Sequence, residues 1–350
     1  KENRVHYGFN LNNGQYMWAT EPQKFQDAWS DTVSLTFGPD RIFAYGQLIS
    51  ATVGGTAYSY DAKTGKLLWT YNATDYYHES YLGNDWWIVP VAVTDGKLYI
   101  GSMEHSPLDP KPRGAPFICL NATTGAEIWR ADGLFRQTRW GGRGIIGDSI
   151  IATMDTYDQQ IYGIGKGPTS TTISAPGLAA AWNQPIVITG TVLDISPGTQ
   201  QDNAKLRFPN GVPAVSDTNQ SEWMLYVYKQ FQQPQNILGV PVSIDAVDPN
   251  NNYVHLGDTT TDSGGAFSVV VTPQMQGKYI VYATFAGSKA YYGSYAQAAF
   301  AVQEKPAQPV VEPQPTSLVE QYFIPAIVGI IVAIIVGFIV LAILMLRRRK

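Results

Sequence analysis

AYSYDAKTGKLLW (57–69) decides the fold, because two other stretches repeat it: YGFNLNNGQYMW (7–18) and FICLNATTGAEIW (117–129). In each, Phe9, Tyr60 or Leu120 precedes a polar turn-starter, Asn10, Asp61 or Asn121. Four residues later stands Gly14, Gly65 or Gly125, and four after that Trp18, Trp69 or Trp129. The Asx side chain caps a tight turn, and glycine supplies its positive φ. The apolar run ending in Trp reads as the returning strand. The copies lie 51 and 60 residues apart. That is within reach of one four-stranded propeller blade per repeat, with a Pro-rich insertion at 101–118 lengthening the second interval.

Working outward, GIIGDSIIATMDTYDQQIYGIGKGPT (144–169) keeps the alternating strands but loses the Trp, as a chain leaving a propeller would. Residues 1–168 therefore read as propeller blades. The sequence opens inside a repeat, so further blades are expected before Lys1. From 175 to 302, β-rich runs such as WNQPIVITGTVLDISPG (182–198) and GKYIVYATFAGSKAYYGS (277–294) predict a β-sandwich. An insertion at about 200–236 interrupts it, and residues 216–231 read as a helix capped by Ser216 or Asp217. Trp223, Val227 and Phe231 share one face of that helix. The stripe packs on the sandwich or, less favoured, meets a partner. The expected class is all-β: a partial propeller, a sandwich with a helical insertion, and one membrane helix.

A Pro-rich stalk (303–321) precedes that helix, and its stretch 303–317, extended at about 3.1 Å per residue, reaches about 45 Å. Residues 322–346 are uncharged and almost wholly apolar, long enough to span a bilayer. The basic tail 347–350 follows at once, which predicts a cytoplasmic C-terminus and an external bulk. Outside the tail, 20 Lys and Arg face 28 Asp and Glu, a net charge of −8 that argues against nucleic acid as a partner. Cys119 is the sole cysteine, excluding an intrachain disulfide or a cysteine-based metal cluster. Gly329, Ala333 and Gly337 form a small-residue stripe that suggests weak pairing of spans.

Asp61, Thr64, Gly65 and Trp69 resemble the quinoprotein (pyrroloquinoline-quinone-type) propeller repeat, and Asn121, Thr124, Gly125 and Trp129 match it with Asn for Asp. The copy at Asn10, Asn13, Gly14 and Trp18 is looser. The resemblance implies that the Trp residues dock neighbouring blades. Quinoprotein dehydrogenases of this family hold a quinone and Ca²⁺ in the channel, using vicinal cysteines that this chain lacks. No catalytic residue carries over, and no cofactor is expected. Pyrroloquinoline quinone and Ca²⁺ remain the alternative, as ligands of an oxidoreductase completed by earlier blades. Phe285, Gly287 and Tyr291–Tyr292 resemble the closing strands of Ig-like surface domains. The overall order is similar to archaeal envelope proteins. A further rival resembles the propeller lipoprotein that assembles outer-membrane β-barrels.

Local chemistry is sparse. Glu104, His105 and Asp109 form the best candidate metal cluster, with His78–Glu79 second; a surface ion pair is the commoner use of either. Asp155, Asp158 and Arg139–Arg143 either line a channel mouth or sit in solvated turns. Aromatic residues are 12% of the chain and concentrate in DYYHESYLGNDWW (75–87), suited to protein or glycan recognition and equally to packing between blades. Asn72, Asn121 and Asn219 begin Asn-x-Ser/Thr sequons, candidate glycan sites on an exported surface. The leading expectation is non-catalytic: a membrane-anchored surface protein for binding, scaffolding or envelope assembly.

Overall fold

The computed structural model describes all residues except 1–4, 24–40, 53, 80–84, 105–112, 135, 139–143, 178, 305–316 and 349–350. Two compact units emerge, Lys1–Gln303 and Glu304–Lys350.

In the first unit, one complete blade comprises Arg41–Ala44, Gln47–Ala51, Thr56–Asp61 and Leu67–Asn72, all antiparallel neighbours. The next comprises Ile88–Thr94, Lys97–Glu104, Phe117–Asn121 and Glu127–Ala131, and Arg136–Thr138 adds a parallel pairing to its second strand. Before them stands the hairpin Tyr7–Phe9 and Tyr16–Ala19; after them comes a three-stranded sheet, Ile145–Gly147, Ile150–Asp155 and Gln160–Ile164. The last sheet thus stops where the others carry their Trp strand.

The repeat builds its own turn. Asp61 Oδ1 accepts the amides of Lys63 and Thr64 at 3.0 and 2.8 Å, and Asn121 Oδ1 accepts those of Thr123 and Thr124 at 2.9 and 3.0 Å. Gly65 and Gly125 adopt φ of +71° and +73°, which an L side chain rarely accepts. One residue before each Trp the ladder slips: Met17, Leu68 and Ile128 have no cross-strand partner. Such a bulge bends the strand and re-aims the following side chain. The following side chain is the Trp, and it reaches the neighbouring blade. A Cβ on Gly65 would lie 2.6 Å from the Trp18 ring, and one on Gly125 2.6 Å from the Trp69 ring. Trp69 Nε1 also donates to the Ala122 carbonyl at 3.2 Å. Around it Ile49, Ala57, Leu98, Ile100, Ile118 and Leu120 close the core between the two complete blades. The last sheet lacks both Trp and bulge, and its register runs unbroken.

The sandwich packs two sheets. One holds Thr169–Ser174, Ile186–Asp194, Val212–Pro213 and Ala266–Val271. The other runs Ala180–Ala181, Ser294–Gln303, Gly277–Phe285, Pro241–Val247 and Tyr253–Thr260 in spatial order. Alternation places Ile186, Ile188, Val192, Val242, Ile244, Val281 and Phe285 in the shared core. The insertion contributes helices α1 (Asp202–Arg207) and α2 (Gln220–Lys229). Neither expected residue caps α2: the helix starts after Asn219, which makes no side-chain cap bond. Asp217 instead accepts from Ser288 Oγ and the amides of Lys289 and Ala290, tying the helix entry to the loop before the last strand. Trp223 and Val227 are buried with Val212 and Val215 inside the insertion.

The second unit is helix α3 (Leu318–Arg347), 30 residues with a mean hydropathy of 3.4 across its most apolar window. At about 1.5 Å per residue it is about 45 Å long, more than a hydrocarbon core of about 30 Å requires. It begins ahead of the apolar run because Ser317 caps it, its Oγ accepting the Glu320 amide at 3.1 Å. Gly329, Ala333 and Gly337 all fall within it.

Candidate functional site

Antiparallel strand order puts the repeat turns at one end of the blades. The other end gathers the loops leaving each fourth strand and those joining second to third strands. Tyr77, Arg113, Gly133, Asp155 and Asp158 all belong to this second end, and the C-terminus of α2 sits on them.

Lys229 ends α2 with its side chain 2% exposed. Its ammonium pairs with Asp155 Oδ2 and, at 2.5 Å, with Asp158 Oδ2, and lies 4.7 Å from the Tyr162 ring centroid. Tyr162 donates to the same Asp158 oxygen at 2.5 Å. The Arg113 guanidinium donates to the Lys229 carbonyl and covers the Phe231 ring at 4.1 Å. Gln230, at φ +55°, turns the chain so that Phe231 follows onto the propeller. Its ring meets Tyr77 edge-on at 6.0 Å, and a Cβ on Gly133 would lie 2.4 Å from it. Of the helical stripe, then, Trp223 and Val227 face the insertion while Phe231 faces the blades.

Burial pushes the Asp155 carboxyl above its usual value despite Lys229. For Asp158 burial acts the same way, but the bonds from Lys229 and Tyr162 outweigh it and hold the carboxyl below the usual range. Beside this clamp, Arg130 donates through Nε to Asp132 at 2.7 Å and through Nη2 to the Thr74 carbonyl at 2.6 Å, with Tyr76 stacked on its Cζ at 4.6 Å. Glu79 accepts the Gly114 amide at 2.7 Å. Each of these groups holds a loop in place.

The clamp joins two residues the sequence singled out, Asp155 and Asp158, to one that it did not. Lys229 reads in sequence as a basic residue favouring the C-terminal end of a helix dipole, with no local sign of partners 71 and 74 residues away. Arg113, Arg130 and Tyr162 carry no motif either. His105, Asp109 and Arg139–Arg143 lie outside the described residues, as does the Glu104 side chain. Among the described residues no three His, Cys, Asp or Glu side chains converge as a metal site. Cys119 is buried in its strand, its thiol pushed up to about 11 by that burial.

The sandwich carries a separate titrating group. His255 Nδ1 lies 2.9 Å from Asp245 Oδ1, and Nε2 lies 3.6 Å from Asp258. The hydrogen bond to Asp245, helped by the Asp258 charge, raises the His255 pKa. A folded value above the unfolded one adds stability at low pH and loses it as pH rises through the folded value. Proton NMR should place the His255 midpoint above about 6.5, the ordinary value, and Asp245→Asn should lower it; an unmoved midpoint would remove Asp245 as the cause.

Comparison with known proteins bears on the blades. Residues 1–99 match a family described as outer membrane protein assembly factor BamB. That match is confined to the first blades and falls short of half the chain. Among solved structures, BamB from Moraxella catarrhalis is similar at 10% identity, with 77% of this chain and 79% of that one covered and a TM-score of 0.29. Quinohemoprotein alcohol dehydrogenase from Comamonas testosteroni is similar at 14% identity, covering 79% of this chain and a TM-score of 0.25. A europium-containing methanol dehydrogenase follows at 11% identity, 87% of this chain and 0.26. The chain spans 38% and 64% of these two dehydrogenases. No curated protein matches it.

Proposed function

We infer that this chain is a membrane-anchored, non-catalytic scaffold whose propeller binds protein partners outside the membrane, in envelope assembly or surface adhesion. The observation that carries the reading is the buried Lys229 clamp. The carboxylates at the loop end of the last blade neutralise a lysine of the sandwich, so groups suited to chemistry serve to join two modules into one body. Contact surface is left on the outer strands, where the bulge residues Met17 and Ile128 are exposed at 52% and 45%. Exposed apolar groups on a rigid frame suit protein contact. The family matched by the first blades, named for outer-membrane assembly, favours the same class of role. α3 anchors the chain, with the basic tail inside and a weak pairing of spans along Gly329, Ala333 and Gly337.

The test has two arms on the full-length protein. A photo-crosslinking residue at position 17 or 128 should give the same discrete protein adduct in native membranes, and the purified chain given pyrroloquinoline quinone and Ca²⁺ should hold no chromophore. Absent adducts at both positions would sink the scaffold, and stoichiometric quinone would replace it with an oxidoreductase. External protease should release the ectodomain through the stalk and leave the tail protected; a tail digested in intact cells would reverse the topology.

A further inference from the structure

The three sequons differ in what the fold asks of their asparagines. Asn121 Oδ1 accepts the amides of Thr123 and Thr124, and the next residue, Ala122, is fully buried where Trp69 docks. A sugar on Asn121 would crowd the turn that its Oδ1 caps through two backbone amides. Asn219 is half-buried at the start of α2, its Oδ1 accepting the Leu238 amide at 2.9 Å with Ser216 Oγ 3.2 Å away. Its side chain holds the helix entry against the segment that returns to the sandwich. Asn72 is placed otherwise. It is exposed, it ends the outermost strand of the first complete blade, and its one side-chain hydrogen bond is accepted from Thr56 Oγ1 at 3.0 Å. That bond engages Oδ1, as the bonds at the other two asparagines do; what sets Asn72 apart is its exposure, against the half-buried Asn121 and Asn219.

We propose that Asn72 is the N-glycosylation site of this chain and that Asn121 and Asn219 stay unmodified. The donor is a polyprenyl-phosphate-linked oligosaccharide, acted on by a membrane transferase. Nδ2 attacks the anomeric carbon and an N–C bond forms. The C–O bond to phosphate breaks, its electron pair leaving with the polyprenyl phosphate, and one amide proton passes to the transferase's base. The product covers an edge that has no partner strand among the described residues and whose Leu67 and Leu68 are both 46% exposed. Open edges of this kind invite pairing with other chains, and bulk at the strand end blocks it.

This inference rests on the external placement of the ectodomain, so the experiment measures both. Full-length protein is taken from the membranes of its own host after intact cells have been treated with a membrane-impermeant lysine acylating reagent. Peptides containing Asn72, Asn121 and Asn219 are weighed. The expected result is a sugar mass increment on the Asn72 peptide alone, lost in both Asn72→Gln and Thr74→Ala, with ectodomain lysines acylated. Acylated lysines with a bare Asn72, or sugar on Asn121 or Asn219, would overturn the assignment while leaving the topology standing. Unacylated ectodomain lysines would overturn the topology and the glycan together.

Discussion

Lys229→Ala should destabilise the chain by about 3–5 kcal/mol, the usual cost of removing one partner from a buried ion pair. The loss follows from two carboxylates left facing each other in a site whose lysine is 2% exposed. Changing all three groups together, as Lys229→Met with Asp155→Asn and Asp158→Asn, should recover most of it, because no uncompensated charge remains. Urea unfolding of the ectodomain measures both. If the single variant unfolded like the parent, the lysine would be no clamp. The pH dependence has a sign that can be checked. Asp158 has a depressed pKa and stabilises the fold above its unfolded value, losing that contribution as pH falls through its folded value. Asp155 works in the opposite sense, since burial raises it. In Lys229→Ala both carboxylates are relieved by protonation, so the deficit against the parent should shrink as the solution is acidified.

Trp69→Ala should cost about 3–5 kcal/mol, the range for truncating a large buried aromatic. The ring is 8% exposed and fills the space over Gly125, and its loss also leaves the Ala122 carbonyl without the indole N–H. Gly125→Ala attacks the same contact from the other side. Its Cβ would enter at 2.6 Å from the ring, in a backbone conformation of φ +73° that disfavours any side chain. Because each change removes one face of a single contact, the double variant should lose less than the two losses added. Trp182→Ala, at a tryptophan 47% exposed, serves as the control and should change little. Additive losses would mean that Trp69 and Gly125 act independently.

The repeat was legible because its physics is local. The spacing of Asp61, Gly65 and Trp69 states a turn, a positive φ and a strand within nine residues. The apolar run was equally plain as a helix, and α3 starts ahead of it only because Ser317 adds a capped first turn. Asp217 was misread as a helix cap because sequence shows its neighbours in the chain and not the loop at 288–290, which claims its carboxylate. The clamp was illegible for the same reason. Charged residues are so common on helix ends that a lysine buried against distant carboxylates carries no mark of its own. The bulges left no mark either, since Met17, Leu68 and Ile128 read simply as members of apolar strands.

The docking of Trp onto Gly has a direction. Trp18 reaches Gly65 and Trp69 reaches Gly125, so each unit gives on one side and receives on the other. A one-dimensional array of this kind draws its stability from nearest-neighbour terms and frays from whichever end lacks a neighbour. The last sheet, with three strands and no Trp to give, is such an end, and what meets it is the helix carrying Lys229. The sandwich thereby acts as the terminal cap of the array. Hydrogen exchange at Ile150–Ile164 should consequently follow the integrity of the insertion helix, a segment from a different module, more closely than that of the blade next door.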